Sequence, residues 1–505
     1  MTRCLKQILV AAETWVGQRL SWWVLAAILI LAVVLFGFPD LEILGAPATA
    51  CPAAASVAAG TLFQRAYGGD GDERWPQVMS APDRGFWLVG LTSPTIVDST
   101  DIHVVRLDAL GNMVWSRTYG GPQSDGVGSV LATPDDGLLL VGSTNSFGAG
   151  STHDIYLLRL NAAGDVVWSR TYGGSDTDEW ARATPTSDGG LLLAGSIRPT
   201  SPESADSDTL LVKLDASGNI QWGRKYDLYT GCGPYSSCEG ASSLTQTSDG
   251  NFVTGQTFYY TDYRTGATHS YGLLLKVDKY GDVLSYWQLE DGVAQTSISA
   301  LLATDDGSVL IWGGADTGAV LARLDTSGTV TWKQGYDFPE NSGASAILQT
   351  PDGGFLLVGS TFLPGPLSGY AVKISSIGDI QWSRAYPINF NLPNRLGAGF
   401  NEVDLTSDGG FLMAGDVWPG PITGNPDYDL YVVWTDAAGN SCNSKTVAAP
   451  TPTTPNLEVS SLSAPATSAV SLIIGTPNTQ SSNVVTQSAD LCRYLLYLPM
   501  AVKTP

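Results

Sequence analysis

Histidine and basic charge are both scarce in this chain. Three histidines, His103, His153 and His269, stand among 505 residues, which argues against a His-ligated metal centre and against His-based acid–base chemistry. Lys plus Arg is 26 and Asp plus Glu is 48, so the formal charge is 26 − 48 = −22. That balance excludes nucleic-acid binding through phosphate neutralisation, which needs a basic surface. Charged residues make up only 15% and aromatics reach 10%, too apolar a mixture for a disordered chain. No paired Cys-x-x-Cys occurs among the six cysteines, so they do not read as a zinc site.

One long apolar run is present. Trp22 to Phe38 is almost wholly apolar, with Arg3, Lys6 and Arg19 before it and Asp40 and Glu42 after it. This charge order keeps the N-terminus inside and sends the remainder across a membrane. Residues 1–50 therefore read as a signal peptide or a membrane anchor, with a helix over about 20–38 and an A-x-A cleavage site at Ala48-Thr49-Ala50. Residues 51–60 form a short spacer. Outside the cytosol cysteines pair: Cys232 and Cys238 suit a local disulfide, and Cys442 and Cys492 a long-range one, with Cys51 left as a competing partner.

Self-similarity dominates the middle of the chain. APDRGFWLVG (81–90) returns as TPDDGLLLVG (133–142), TSDGGLLLAG (186–195), TSDGNFVTGQ (247–256), TDDGSVLIWG (304–313), TPDGGFLLVG (350–359) and TSDGGFLMAG (406–415). The first six copies are followed by an apolar strand with Lys or Arg near its end, replaced by Trp434 after the seventh, then a Gly-containing turn and a strand with an indole: Trp115, Trp168, Trp222, Trp287, Trp332 and Trp382, with Phe63 as the earlier equivalent. A period of roughly 50 residues holds four short strands. The expected fold is all-β: a seven-bladed β-propeller over residues 61–447 with four-stranded blades. Residues 61–67 match a fourth strand without a first, so they should close the last blade. The Thr/Ser/Pro/Ala-rich stretch 448–490 reads as a linker and 491–505 as a short apolar tail.

The repeat resembles that of bacterial secreted β-propeller proteins, Kelch-like or quinoprotein-like in architecture. The likeness rests on Ser/Thr-x-Asp-Gly-Gly before an apolar run, and on Trp-Ser-Arg-x-Tyr-Gly-Gly at its end, over about residues 61–443. It implies fold and export, and brings no catalytic residues with it.

The repeated cations, such as Arg106, Arg159 and Lys213, are expected to answer repeated aspartates rather than a ligand. Unrepeated features lie in the connections between strands two and three and between blades, which share one rim. Blade four is the most elaborate: Phe258, Tyr259, Tyr260, Tyr263 and Arg264 suit stacking on a sugar or a protein partner. Calcium is the one cofactor the residues could hold, on Asp70, Asp72, Asp176 and Asp178, with oxygen ligands. Neither the Arg cluster of a sialidase nor the vicinal cysteines of a quinone dehydrogenase stands out. The expected role is a non-catalytic interaction module, secreted or displayed at the cell surface. It would bind a glycan or protein through its variable loops and meet membrane only through the N-terminal helix. A sialidase- or glycosidase-like hydrolase, or a structural envelope component, is the alternative.

Overall fold

The computed structural model describes residues 62–490 except 69–70, 94–98, 149–151, 199–206, 229–240, 242, 263–266, 291–295, 316–317, 340–341, 363–366, 389–395, 420–427, 443, 454–457, 462–465, 470–472, 476–479 and 484–486. The expected N-terminal helix lies outside these residues. Among the described residues no helix is long and apolar enough to cross a membrane.

Each repeat folds as an antiparallel four-stranded meander. Blade 2 is typical, with strands Asp125–Ala132, Leu138–Thr144, Asp154–Leu160 and Val166–Gly173. The middle strands are buried along almost their whole length, which is why they read as continuous apolar runs. The Thr-x-Asp-Gly turn between strands one and two is self-contained. Thr186 Oγ1 donates to Asp188 Oδ1 (2.5 Å), the Gly189 amide donates to Thr186 O (2.8 Å), and Gly189 takes φ +82°, a region open chiefly to glycine.

Seven such sheets form the ring. Blade 7 comprises Leu396–Leu405, Phe411–Pro419 and Asp429–Thr435, and its fourth strand is Gln64–Gly68 from the start of the domain. Gln64 pairs with Val433 and Tyr67 with Leu430, so the ring closes as the repeat phase predicts. Apolar clusters lie between blades: Leu192, Leu211 and Tyr226 of blade 3 pack with Phe252, Leu275 and Val277 of blade 4. A tyrosine clamps one blade to the next at several seams. Tyr119 Oη donates to Gly164 O (2.6 Å), Tyr172 to Gly218 O (2.8 Å) and Tyr226 to Gly281 O (2.7 Å), while Tyr67 bonds Gly111 O (2.7 Å) across the closure.

Two expectations change. Trp287 is not the repeated indole of blade 4: Ser285 pairs with Lys276, in the place where Trp168 pairs with Arg159. Trp287 sits two residues further on, and Leu289 takes the clamp tyrosine's place. Where a linker was expected after the ring, the chain supplies a belt of seven short strands. Lys445–Thr446 pairs with blade 6, and Thr451–Thr453, Glu458–Ser461, Ala466–Ala469, Ile473–Gly475 and Gln480–Asn483 follow on blades 5, 4, 3, 2 and 1. Gln487–Asp490 ends against Gln64–Gly68 in blade 7. The reason is that every fourth strand is an edge with unpaired amides and carbonyls, which an extended polar chain satisfies through backbone alone.

Candidate functional site

The repeated cations are occupied by the fold, as expected. Lys213 pairs with Asp188 (2.9 Å), Lys373 with Asp352 (2.9 Å), and Arg159 with Asp135, each bracing the first turn of its own blade. The second set stacks on the aromatic residue two positions earlier and reaches the next blade. Arg117 lies 5.0 Å from the Trp115 ring and pairs with Asp165 (3.0 Å). His103 is buried beside Ser116, its Nε2 2.7 Å from Oγ, and burial pulls its pKa down to about 4.

The opposite rim is irregular. In blade 4, the connection expected as a loop is an extended hairpin, Phe252–Asp262 against Ala267–Val277, with Tyr259 opposite Ser270 and Tyr260 opposite His269. Phe258 is 3% exposed and packs in the core between blades 3 and 4, so it is not a ligand contact. Tyr259 is half-buried. Tyr263, Arg264, Cys232, Cys238 and Cys492, and the side chain of Tyr260, lie outside the described residues. Cys442 follows Asp429–Thr435, the third strand of blade 7.

The innermost strands reveal residues that repeat-matching missed. Bulges interrupt the first strands of blades 1, 2, 3, 6 and 7 at one level, between Arg74/Gln77, Val127/Ser129, Glu179/Arg182, Ala344/Ala346 and Phe400/Glu402. Two of the residues that follow the bulges are charged, Arg182 in blade 3 and Glu402 in blade 7. Arg182 donates to Gly128 O (2.6 Å). Desolvation lowers its pKa, with Glu402 acting in the opposite sense; burial raises that of Glu402, which Arg182 partly offsets. Each therefore feels the other's charge.

Trp75 occupies the blade 1 bulge. It is 55% exposed and its backbone takes φ +51°. Asp416 of blade 7 holds it there, accepting from the Trp75 amide (2.9 Å) and from Asn401 Nδ2 (2.9 Å). Burial raises the Asp416 pKa to about 6. Beside it the Arg74 guanidinium covers the Tyr428 ring at 4.0 Å and pairs with Asp72 (2.7 Å). The signal that could have found this level is the two-residue bulge of blades 1 and 3, which holds Trp75-Pro76 in one and Trp180-Ala181 in the other.

No protein-family model matches the chain, and no curated protein does. Among solved structures it is similar to the polysaccharide lyase Uly1, at 12% identity and TM-score 0.40, covering 72% of this chain and 89% of that one. Sqt1 from Chaetomium thermophilum is similar at 12% identity and TM-score 0.40, covering 72% and 86%. The subtype N11 neuraminidase-like protein of A/flat-faced bat/Peru/033/2010 follows at 12% and 0.30, covering 75% and 89%.

The acids considered for calcium are placed as follows. Asp70 lies outside the described residues. Asp72 is engaged by Arg74 and by the Tyr428 amide (3.2 Å). Asp178 is buried, Asp176 half-buried, and among the described residues no group of three His, Cys, Asp or Glu side chains is gathered for a metal. Acids instead pair across seams at the Tyr-Gly-Gly motif. A Cβ on Gly120 would lie 2.0 Å from Asp101 Oδ1 and 2.9 Å from Asp125 Oδ2, so only glycine leaves these carboxylates room. Asp125 accepts from the Gly121 amide (2.7 Å), Ser146 Oγ (2.7 Å) and Thr144 Oγ1.

Proposed function

We propose that this protein is an exported interaction module, displayed at the cell surface or secreted, that binds a glycan on its variable rim without transforming it. The contrast between the rims carries the reading. On one, repeated Thr, Asp and Lys/Arg groups satisfy each other; on the other, a long tyrosine-bearing hairpin interrupts the repeat. Binding sites grafted onto rigid scaffolds sit on such irregular connections. Export is supported by the N-terminal apolar run and its charge order. In the same reading Cys232 bridges Cys238, and Cys442 bridges Cys492. The test is a glycan array with the full chain, followed by a hydrolase panel on every bound glycan. Binding without turnover supports the proposal. Hydrolysis would shift it to a sialidase- or glycosidase-like enzyme, and no binding to a structural envelope component.

A further inference from the structure

We propose that the belt is locked into a covalent circle: Cys492 extends its last strand to a point beside Phe63 and bridges Cys442 there, joining the belt's two ends. This rests on the Cys442–Cys492 pairing above and gives that bridge its place and its consequence.

The register supplies the place. Gln487–Asp490 runs antiparallel to Gln64–Gly68, with Gln487 opposite Gly68 and Asp490 opposite Arg65. Two more residues in the same ladder set Cys492 opposite Phe63. Cys442 is held at that same point. Phe63 O accepts from the Trp434 amide (2.9 Å) and lies 3.3 Å from Ser441 Oγ. That hydroxyl is 3.0 Å from Trp434 O and 3.9 Å from Cys442 Sγ. Residues opposed on adjacent strands stand about 5 Å apart, a separation that a disulfide spans.

The circuit supplies the consequence. From Cys442 the belt passes to blade 6, visits blades 5, 4, 3, 2 and 1 in turn, and returns to blade 7. Its ends therefore meet after one full turn, and the bridge makes residues 442–492 a loop that surrounds all seven blades. Closure matters because the belt strands are weak one at a time. They are two to four residues long, and pairings so short are marginal alone. A belt with an open end would peel from blade 7 backwards, strand after strand. Its last strand also backs Gln64–Gly68, the strand by which the ring itself closes. Joined to Cys442, the belt has no end from which to peel. The bond forms by exchange with a disulfide donor of the exported compartment. One thiolate attacks the donor, the second displaces it, and the donor leaves as a dithiol with both electrons and both protons.

Hydrogen exchange read by mass spectrometry on the oxidised full chain tests this, after non-reducing peptide mapping of its cysteines. Mapping should return Cys442 linked to Cys492. In the Cys442→Ser/Cys492→Ser variant, amides of 487–490 should exchange at least tenfold faster than in wild type. Those of 480–483 should gain less, and those of 445–446 should not change. Should the variant fold poorly, reducing the folded wild-type chain with a phosphine repeats the measurement. Equal protection of the belt with and without the bridge overturns the covalent circle and leaves the pairing standing. Free thiols at both positions, or a bridge from either to Cys51, overturn the circle and the pairing together. Neither result touches glycan binding, which the array decides separately.

Discussion

Asp178 gives the sharpest test of how the seams are built. It is the second residue of the inner strand of blade 3, Thr177–Pro185, fully buried, with its amide donating to His153 O (2.8 Å). Burial, then Asp154, then Asp176 raise its pKa from 3.8 to about 8, against the opposing Gly174 amide. Keeping a carboxyl near 8 rather than 3.8 corresponds to about 6 kcal/mol between its two charge states; water entry and rearrangement should leave roughly half, about 3 kcal/mol. The sign follows from proton counts. Between pH 3.8 and 8 the folded chain holds a proton that the unfolded chain has released, so stability falls as pH rises through this window. Asp101 and Asp416, held near 6, have largely ionised by about pH 7, so the difference between wild type and an Asp178 variant above that pH reads Asp178 itself. Asp178→Asn should flatten that part of the curve and melt higher than wild type at pH 9 by roughly 3–6 °C, using about 1–2 °C per kcal/mol for a large domain. Thermal melts of both proteins at half-unit pH steps would show it. Parallel curves for the two would refute the buried-acid account.

Three further outcomes follow. Tyr172→Phe leaves Gly218 O without its clamp and should cost about 1–3 kcal/mol in chemical denaturation; hydrogen exchange should show the blade 4–5 seam, where Leu289 replaces the tyrosine, opening earliest. Deleting residues 448–505 should leave a folded ring that aggregates in light scattering at concentrations the full chain tolerates, because six outer edges lose their belt strands entirely. EDTA should leave the melting temperature unchanged, since Asp72 is already neutralised by Arg74.

The ring was legible because its signals are periodic and local. Asp-Gly turns, apolar middle strands and the stray fourth strand at Gln64–Gly68 give blade number, blade content and closure without any long-range information. Trp287 misled because indoles were matched by identity. Counting four residues from the turn glycine, as from Gly164 to Trp168, leads from Gly281 to Ser285. The belt was hidden for a different reason: its strands are two to four residues long and pair through backbone, so Thr, Ser and Pro serve as well as any apolar residue. At the rim, composition alone could not tell Phe258, which packs inward, from Tyr259 beside it. Trp75 and Arg182 were overlooked because a consensus averages away the positions that break it.

The belt also changes how the ring carries load. Gln64–Gly68 lies between Asp429–Thr435 and Gln487–Asp490, antiparallel to both. A pull on the chain entering at Leu62 acts along the strand, so two ladders must slide together rather than peel bond by bond. The tail runs backwards around the circumference from blade 6 to blade 1 and then onto that same strand. Tension along it acts as hoop stress, drawing the blades inward as a stave barrel is drawn by its hoop.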